Sequence, residues 1–85
     1  LGNYQEAISL NTEALKIYEK TLGKEHPTYS LSINRLAELQ VHIGNYPMAT
    51  KLFTQALETA KKSLGPNHSA YATILHNMAT CIFIV

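Results

Sequence analysis

Apolar and small residues recur along this chain at the three-and-four spacing of a helix face, in four separate runs. The first run puts Tyr4, Ala7, Ile8, Ala14, Leu15, Tyr18 and Leu22 on one side, with Asn11 as a polar intruder. Gln5, Glu6, Ser9, Glu13, Lys16, Glu19 and Lys20 cover the other side. This is the i, i+3, i+4, i+7 pattern of an amphipathic helix, and it predicts one from Tyr4 to about Leu22. The second run, from about Thr28 to Ile43, aligns Tyr29, Ile33, Leu36, Ala37, Gln40 and Ile43. The third, from Tyr46 to about Leu64, aligns Ala49, Leu52, Phe53, Ala56, Leu57, Ala60 and Leu64. The fourth starts near Ser69 and, on the template of the second, turns Tyr71, Leu75, Met78, Ala79 and Ile82 inward. No run shows the period of two that a half-buried strand needs. The stretch Cys81 to Val85 alone reads as a short strand, and its alignment with the second run argues against that.

The punctuation between runs repeats. Gly2-Asn3-Tyr4 comes back as Gly44-Asn45-Tyr46, and Leu22-Gly23-Lys24-Glu25-His26-Pro27 comes back as Leu64-Gly65-Pro66-Asn67-His68-Ser69, each 42 residues later. One spacing shared by two motifs marks an internal repeat. Asn3 suits a helix N-cap, Gly23 and Gly65 suit the left-handed residue after a helix, and Pro27 suits a first helical turn. His26 and His68 hold equivalent places in the turn, which predicts capping of the helix–helix connection rather than catalysis. The chain therefore reads as one domain, residues 1–85, with repeat units at roughly 2–43 and 44–85. Alanines at 7, 14, 37, 49, 56 and 79 mark where helices approach closely, so antiparallel helix pairs stacked side by side are expected.

Length and charge narrow the functional classes. Eighty-five residues allow a single thin core. Charged residues make up 15% of the chain and the net charge is +1, which leaves no electrostatic footprint for nucleic acid or an anionic membrane. Cys81 is the single cysteine, so no disulfide forms within the chain, and a reducing, cytoplasmic setting is expected. No apolar run approaches the ~20 residues of a membrane span. The start at Leu1 and the apolar end Ile82-Phe83-Ile84-Val85 suggest a piece of a longer protein.

Nothing in the chain assembles a catalytic or metal-binding constellation. Gly2, Gly23, Gly44 and Gly65 stand singly at a 21-residue spacing, which marks turns rather than a phosphate loop. Cys81 sits in an Ile- and Phe-rich helical stretch and reads as buried and structural. His76 and Cys81 lack zinc-ligand spacing. Glu25 and Glu38 lie on different elements without an evident partner. The five tyrosines fall on apolar faces, as core residues do. No catalytic residue, metal or cofactor is expected, and the chain reads as a non-enzyme.

The ordered set Ile33, Leu36, Ala37, Gly44, Tyr46, Ala49, Phe53 and Ala56 resembles the tetratricopeptide repeat, whose usual unit has about 34 residues. Leu75, Met78 and Ala79 match its first helix again. Ala7 and Ala14 match its second, with Asn11 where an aromatic is expected. The longer spacing and the Leu-Gly-x-x-His-Pro turn resemble the long variant of kinesin light chain-type repeats, although Ser69 replaces the proline in the second copy. The resemblance implies an all-α, right-handed α-solenoid of four helices, about two repeats. It also implies a protein-interaction scaffold in a larger multidomain protein, with a concave groove for an extended peptide. By the resemblance, Leu31, Asn34, Glu38, Val41 and His42 face that groove in one unit, with Arg35 at its margin, and Thr73, His76, Asn77 and Thr80 face it in the next. Kinesin light chains carry an asparagine pair here. This chain has Asn34-Arg35 and His76-Asn77, so their cargo preference does not transfer. A merely solvated face is the competing reading of these residues. A second functional reading is a structural spacer or self-association segment, working through unpaired terminal helices and Ile82, Phe83, Ile84 and Val85.

Overall fold

The computed structural model describes residues 3–84, with side chains to residue 83; Leu1, Gly2 and Val85, and the side chain of Ile84, lie outside what is described. The helices are α1 (Tyr4–Thr21), α2 (Pro27–His42), α3 (Tyr46–Ser63) and α4 (Ser69–Ile84), and no strand occurs among the described residues. Each helix packs on the next in the chain, α2 also touches α4, and among the described residues α1 touches α2 alone. The result is an all-α solenoid of helix pairs. The stretch from Cys81 to Ile84 continues α4 as helix.

The turns explain why their motif recurs. The α1 helix starts with a reciprocal cap: the Glu6 N–H donates to Asn3 Oδ1 at 3.2 Å, and Asn3 Nδ2 donates to the Glu6 carboxylate at 3.0 Å. It ends at Gly23, whose φ of +88° lets its N–H turn back to the Tyr18 carbonyl. The His26 N–H then donates to the Gly23 carbonyl at 3.3 Å, and His26 Nδ1 accepts from the Thr28 N–H at 3.1 Å. The second copy repeats this, with His68 bonded to the Gly65 carbonyl at 3.4 Å and its Nδ1 accepting from the Ala70 N–H at 3.0 Å. Leu-Gly-x-x-His is thus one device, in which glycine stops a helix and histidine caps the next.

Gly44 makes the turn between α2 and α3 with φ +82°, and a Cβ there would meet nothing within 4 Å. The cost of a side chain at this point is conformational alone. Gly44→Ala should therefore lose about 1–2 kcal/mol, read as a lower denaturation midpoint, and Gly44→Asn should lose less because Asn visits the left-handed region more readily.

The core lies on both sides of α3. Ala49, Ala56 and Ala60 are fully buried at positions that let neighbouring backbones come close, and Phe53 fills the space between them. From α2, Tyr29, Ile33 and Ala37 complete one side; from α4, Ile74 and Cys81 complete the other. The buried face of α4 differs from the expectation. Ile74 and Cys81 are inside, whereas Leu75, Ala79 and Ile82 are exposed. Their counterparts one repeat earlier, Ile33 and Ala37, are buried because α2 has a helix on each side. Among the described residues α4 has α3 on one side and none on the other.

Asn11, the polar intruder of α1, has a partner. Ser32 Oγ donates to Asn11 Oδ1 at 3.2 Å across the α1–α2 contact. One repeat later the equivalent positions hold Phe53 and Ile74, an apolar pair across the α3–α4 contact. The same junction is built once with a hydrogen bond and once with a hydrocarbon contact.

Candidate functional site

Where α2 and α4 meet, three polar side chains tie successive repeats together. Asn34 Nδ2 donates to the Glu38 carboxylate at 3.1 Å, and Asn77 Nδ2 reaches Asn34 Oδ1 at 3.3 Å and the same Glu38 oxygen at 3.4 Å. Glu38, which the sequence left without a partner, is the acceptor on which this network converges. Asn34 is buried at 7% exposure, so its amide serves the junction and forms part of the foundation beneath the face.

Beside this network opens a depression of about 580 Å³. Glu38, Val41 and His42 of α2 line one side, and His76, Asn77, Thr80 and Cys81 of α4 line the other. Tyr46 and Phe53 of α3 contribute between them. Phe53 and Cys81 are almost completely buried and make an apolar floor, while His42, His76 and Thr80 are exposed and make a polar rim. The Thr80 hydroxyl donates to the His76 carbonyl at 3.0 Å within α4. Tyr4 of α1 stacks on His42, with ring centroids 5.0 Å apart and planes 1° from parallel, and so holds the His42 ring at the edge of the face.

Six of the ten residues expected at the groove therefore surround one depression: Glu38, Val41, His42, His76, Asn77 and Thr80. The other four are placed differently. Asn34 lies underneath. Arg35 lines a second depression, of about 370 Å³, together with Ala7, Leu10, Asn11 and Leu39. Leu31 and Thr73 are exposed in the N-terminal halves of α2 and α4 and line neither. The second depression is the same cleft one repeat earlier, since Asn11, Arg35 and Leu39 correspond to Phe53, Asn77 and Cys81. Tyr46, Phe53 and Cys81 also line the first depression, although the sequence marks them as core or turn positions, because core periodicity does not reveal that a buried side chain also floors an open cleft.

The same depression brings His76 and Cys81 together without pairing them. Cys81 is fully buried, and its sulfur contacts the Thr50 hydroxyl at 3.8 Å. Among the described residues no group of three or more His, Cys, Asp or Glu side chains is placed to hold a metal ion. No helix among them is long and apolar enough to cross a membrane.

The arrangement of helix pairs in a row corresponds to what family comparison finds. The tetratricopeptide-repeat model matches residues 1–62 and again residues 28–83. The chain belongs to the tetratricopeptide-repeat family. Overlapping matches in two registers are what a tandem repeat produces. Tetratricopeptide repeats are in general protein–protein interaction modules, and the family is typically non-enzymatic. No curated protein matches the chain.

Proposed function

We propose that this tetratricopeptide-repeat chain, as one domain of a larger multidomain protein, takes an extended segment of a partner protein along the side shared by α2 and α4. The supporting observation is the junction itself, an apolar floor at Phe53 and Cys81 beneath a rim of Glu38, His42, His76 and Thr80. Such a cleft takes an apolar side chain of an extended peptide, while rim groups hydrogen-bond its backbone. Leu31, Arg35 and Thr73 would extend the contact along the two helices, and Asn34 would act by fixing their spacing. The mechanism needs no cofactor or metal. The 42-residue period supports the long, kinesin light chain-type variant, and the lone buried thiol of Cys81 suits a reducing, cytoplasmic setting.

A peptide-display selection against the chain provides the test. Binders should lose about tenfold or more in affinity on the double substitution His76→Ala with Thr80→Glu, with the helical circular dichroism signal unchanged. Both residues are exposed, so the substitutions leave the core intact. Equal binding by the double variant would remove this face from the mechanism.

A further inference from the structure

The polar junction between α2 and α4 spends its donors and keeps its acceptors. Asn34 Nδ2 donates to Glu38 Oε1, and Asn77 Nδ2 donates to the same Oε1 and to Asn34 Oδ1. Both amides thus converge on one oxygen of the carboxylate. The other, Glu38 Oε2, has no hydrogen-bond or ion-pair partner among the described residues, and it is not buried. Asn77 Oδ1 is left in the same condition. Glu38 and Asn77 both line the larger depression, so what the junction offers a ligand there is two acceptor oxygens, one of them charged.

No cation stands nearby to answer that charge. Among the described residues no Lys or Arg lines the depression, and α4 carries no Asp, Glu, Lys or Arg at all. Arg35, on the same helix as Glu38, lines the smaller cleft instead. With its histidines neutral, the depression therefore holds one negative charge and no positive one. The carboxylate is also held in place, since the two amides fix Oε1 and Asn34 is buried beneath. A ligand that covers Glu38 without pairing it loses affinity to desolvation, whereas one that brings a cation gains a charge-assisted hydrogen bond to a preorganised oxygen.

We infer that the partner segment carries a lysine two residues from its apolar anchor, and that the lysine ammonium binds Glu38 Oε2. This rests on the groove reading above and adds the charge of its ligand. In an extended segment, residues two apart point to the same side, ~7 Å from one another. An apolar residue over Phe53 and Cys81 thus brings its second neighbour to the rim. Lysine fits better than arginine because a single free oxygen suits a compact ammonium, while the guanidinium fork is matched by a carboxylate with both oxygens free. Asn77 Oδ1 can take a second ammonium hydrogen. An acidic residue at that position would face Glu38 with no cation to offset it, so the junction also selects against Asp and Glu.

Random-peptide display against the whole chain and against its Glu38→Gln variant tests this. Glutamine keeps an oxygen for the two amides and removes the charge, so the helical circular dichroism signal should be unchanged. Peptides selected on wild type should be enriched in lysine two residues from an apolar residue and depleted in Asp and Glu there. The enrichment should vanish on Glu38→Gln. In a synthetic peptide from the wild-type selection, replacing that lysine by norleucine removes the charge and keeps the stem. It should weaken binding about fivefold or more on wild type and change little on Glu38→Gln. Peptides that perturb the amide shifts of Val41, His42, Tyr46 and His76 yet show no lysine preference would overturn the inference and leave the groove reading standing. So would a norleucine replacement that costs the same on both proteins. Selected peptides whose perturbations lie away from the depression would remove the groove reading, and this inference with it.

Discussion

Phe53→Ala should be the most damaging single substitution in this chain, costing about 3–5 kcal/mol. Phe53 is 1% exposed and sits in the helix that faces both neighbours, so its ring supports the α2 side and the α4 side at once. Its closest helical neighbours inside the core, Ala49, Ala56 and Ala60, are too small to close over the space it would leave. A chain of 85 residues has a total stability of roughly 4–13 kcal/mol, so the loss is a large part of the whole. Urea unfolding followed by circular dichroism should show a much lower midpoint, or a helical signal already reduced in buffer. Phe53→Leu, which retains most of the volume, should lose far less. A midpoint for Phe53→Ala within error of wild type would mean that the core does not centre on α3.

The reverse effect is expected where the other copy of the repeat departs from this pattern. Asn11→Phe combined with Ser32→Ile transplants the α3–α4 pair onto the α1–α2 contact and should stabilise the chain by about 1–3 kcal/mol. Room exists, since Asn11 borders the smaller depression. The wild-type junction is also imperfect: Asn11 uses its oxygen for Ser32, and its amide nitrogen is buried with no partner among the described residues. The two changes should be coupled. Ser32→Ile alone strips Asn11 of its one hydrogen bond and should destabilise, while Asn11→Phe alone leaves the Ser32 hydroxyl unpaired and should gain little. A double-mutant cycle in urea reads this coupling directly. A double variant no more stable than wild type would show that the first junction cannot accept the geometry of the second.

Most of the helical framework was legible because local rules set it. Glycines with positive φ, a side-chain cap at Asn3 and proline at the start of α2 fix the ends to within a residue or so of where periodicity puts them. Histidine capping at His26 and His68 followed from their equivalent places in the repeat. What was not legible depends on neighbours. The template of α2 predicts Leu75, Ala79 and Ile82 inward on α4, yet a helix buries whichever stripe has a partner: among the described residues α4 meets α3 and, at one edge, α2, and neither covers those three side chains. The polar junction was hidden for a similar reason. Asn34, Glu38 and Asn77 come from helices far apart in the chain, so no local pattern could show that Glu38 has two amide donors or that Asn34 is spent on them. The stack of Tyr4 on His42 likewise joins residues 38 positions apart.

The groove reading also changes character once the geometry is in view. Six of the ten residues line one depression with an apolar floor, Asn34 lies beneath it, Arg35 lines an equivalent smaller cleft one repeat earlier, and Leu31 and Thr73 stand outside both. The sharper expectation is that a partner's apolar side chain anchors over Phe53 and Cys81, with contacts along α2 and α4 setting its direction.

Amide chemical-shift mapping of a selected peptide on the isotope-labelled chain decides this most directly. The largest perturbations should fall at Val41, His42, Tyr46, His76 and Thr80, with the outward-facing surface of α3 around Lys51 and Glu58 unaffected. Perturbations centred on that outward surface, with the α2–α4 cleft silent, would contradict the proposed binding face.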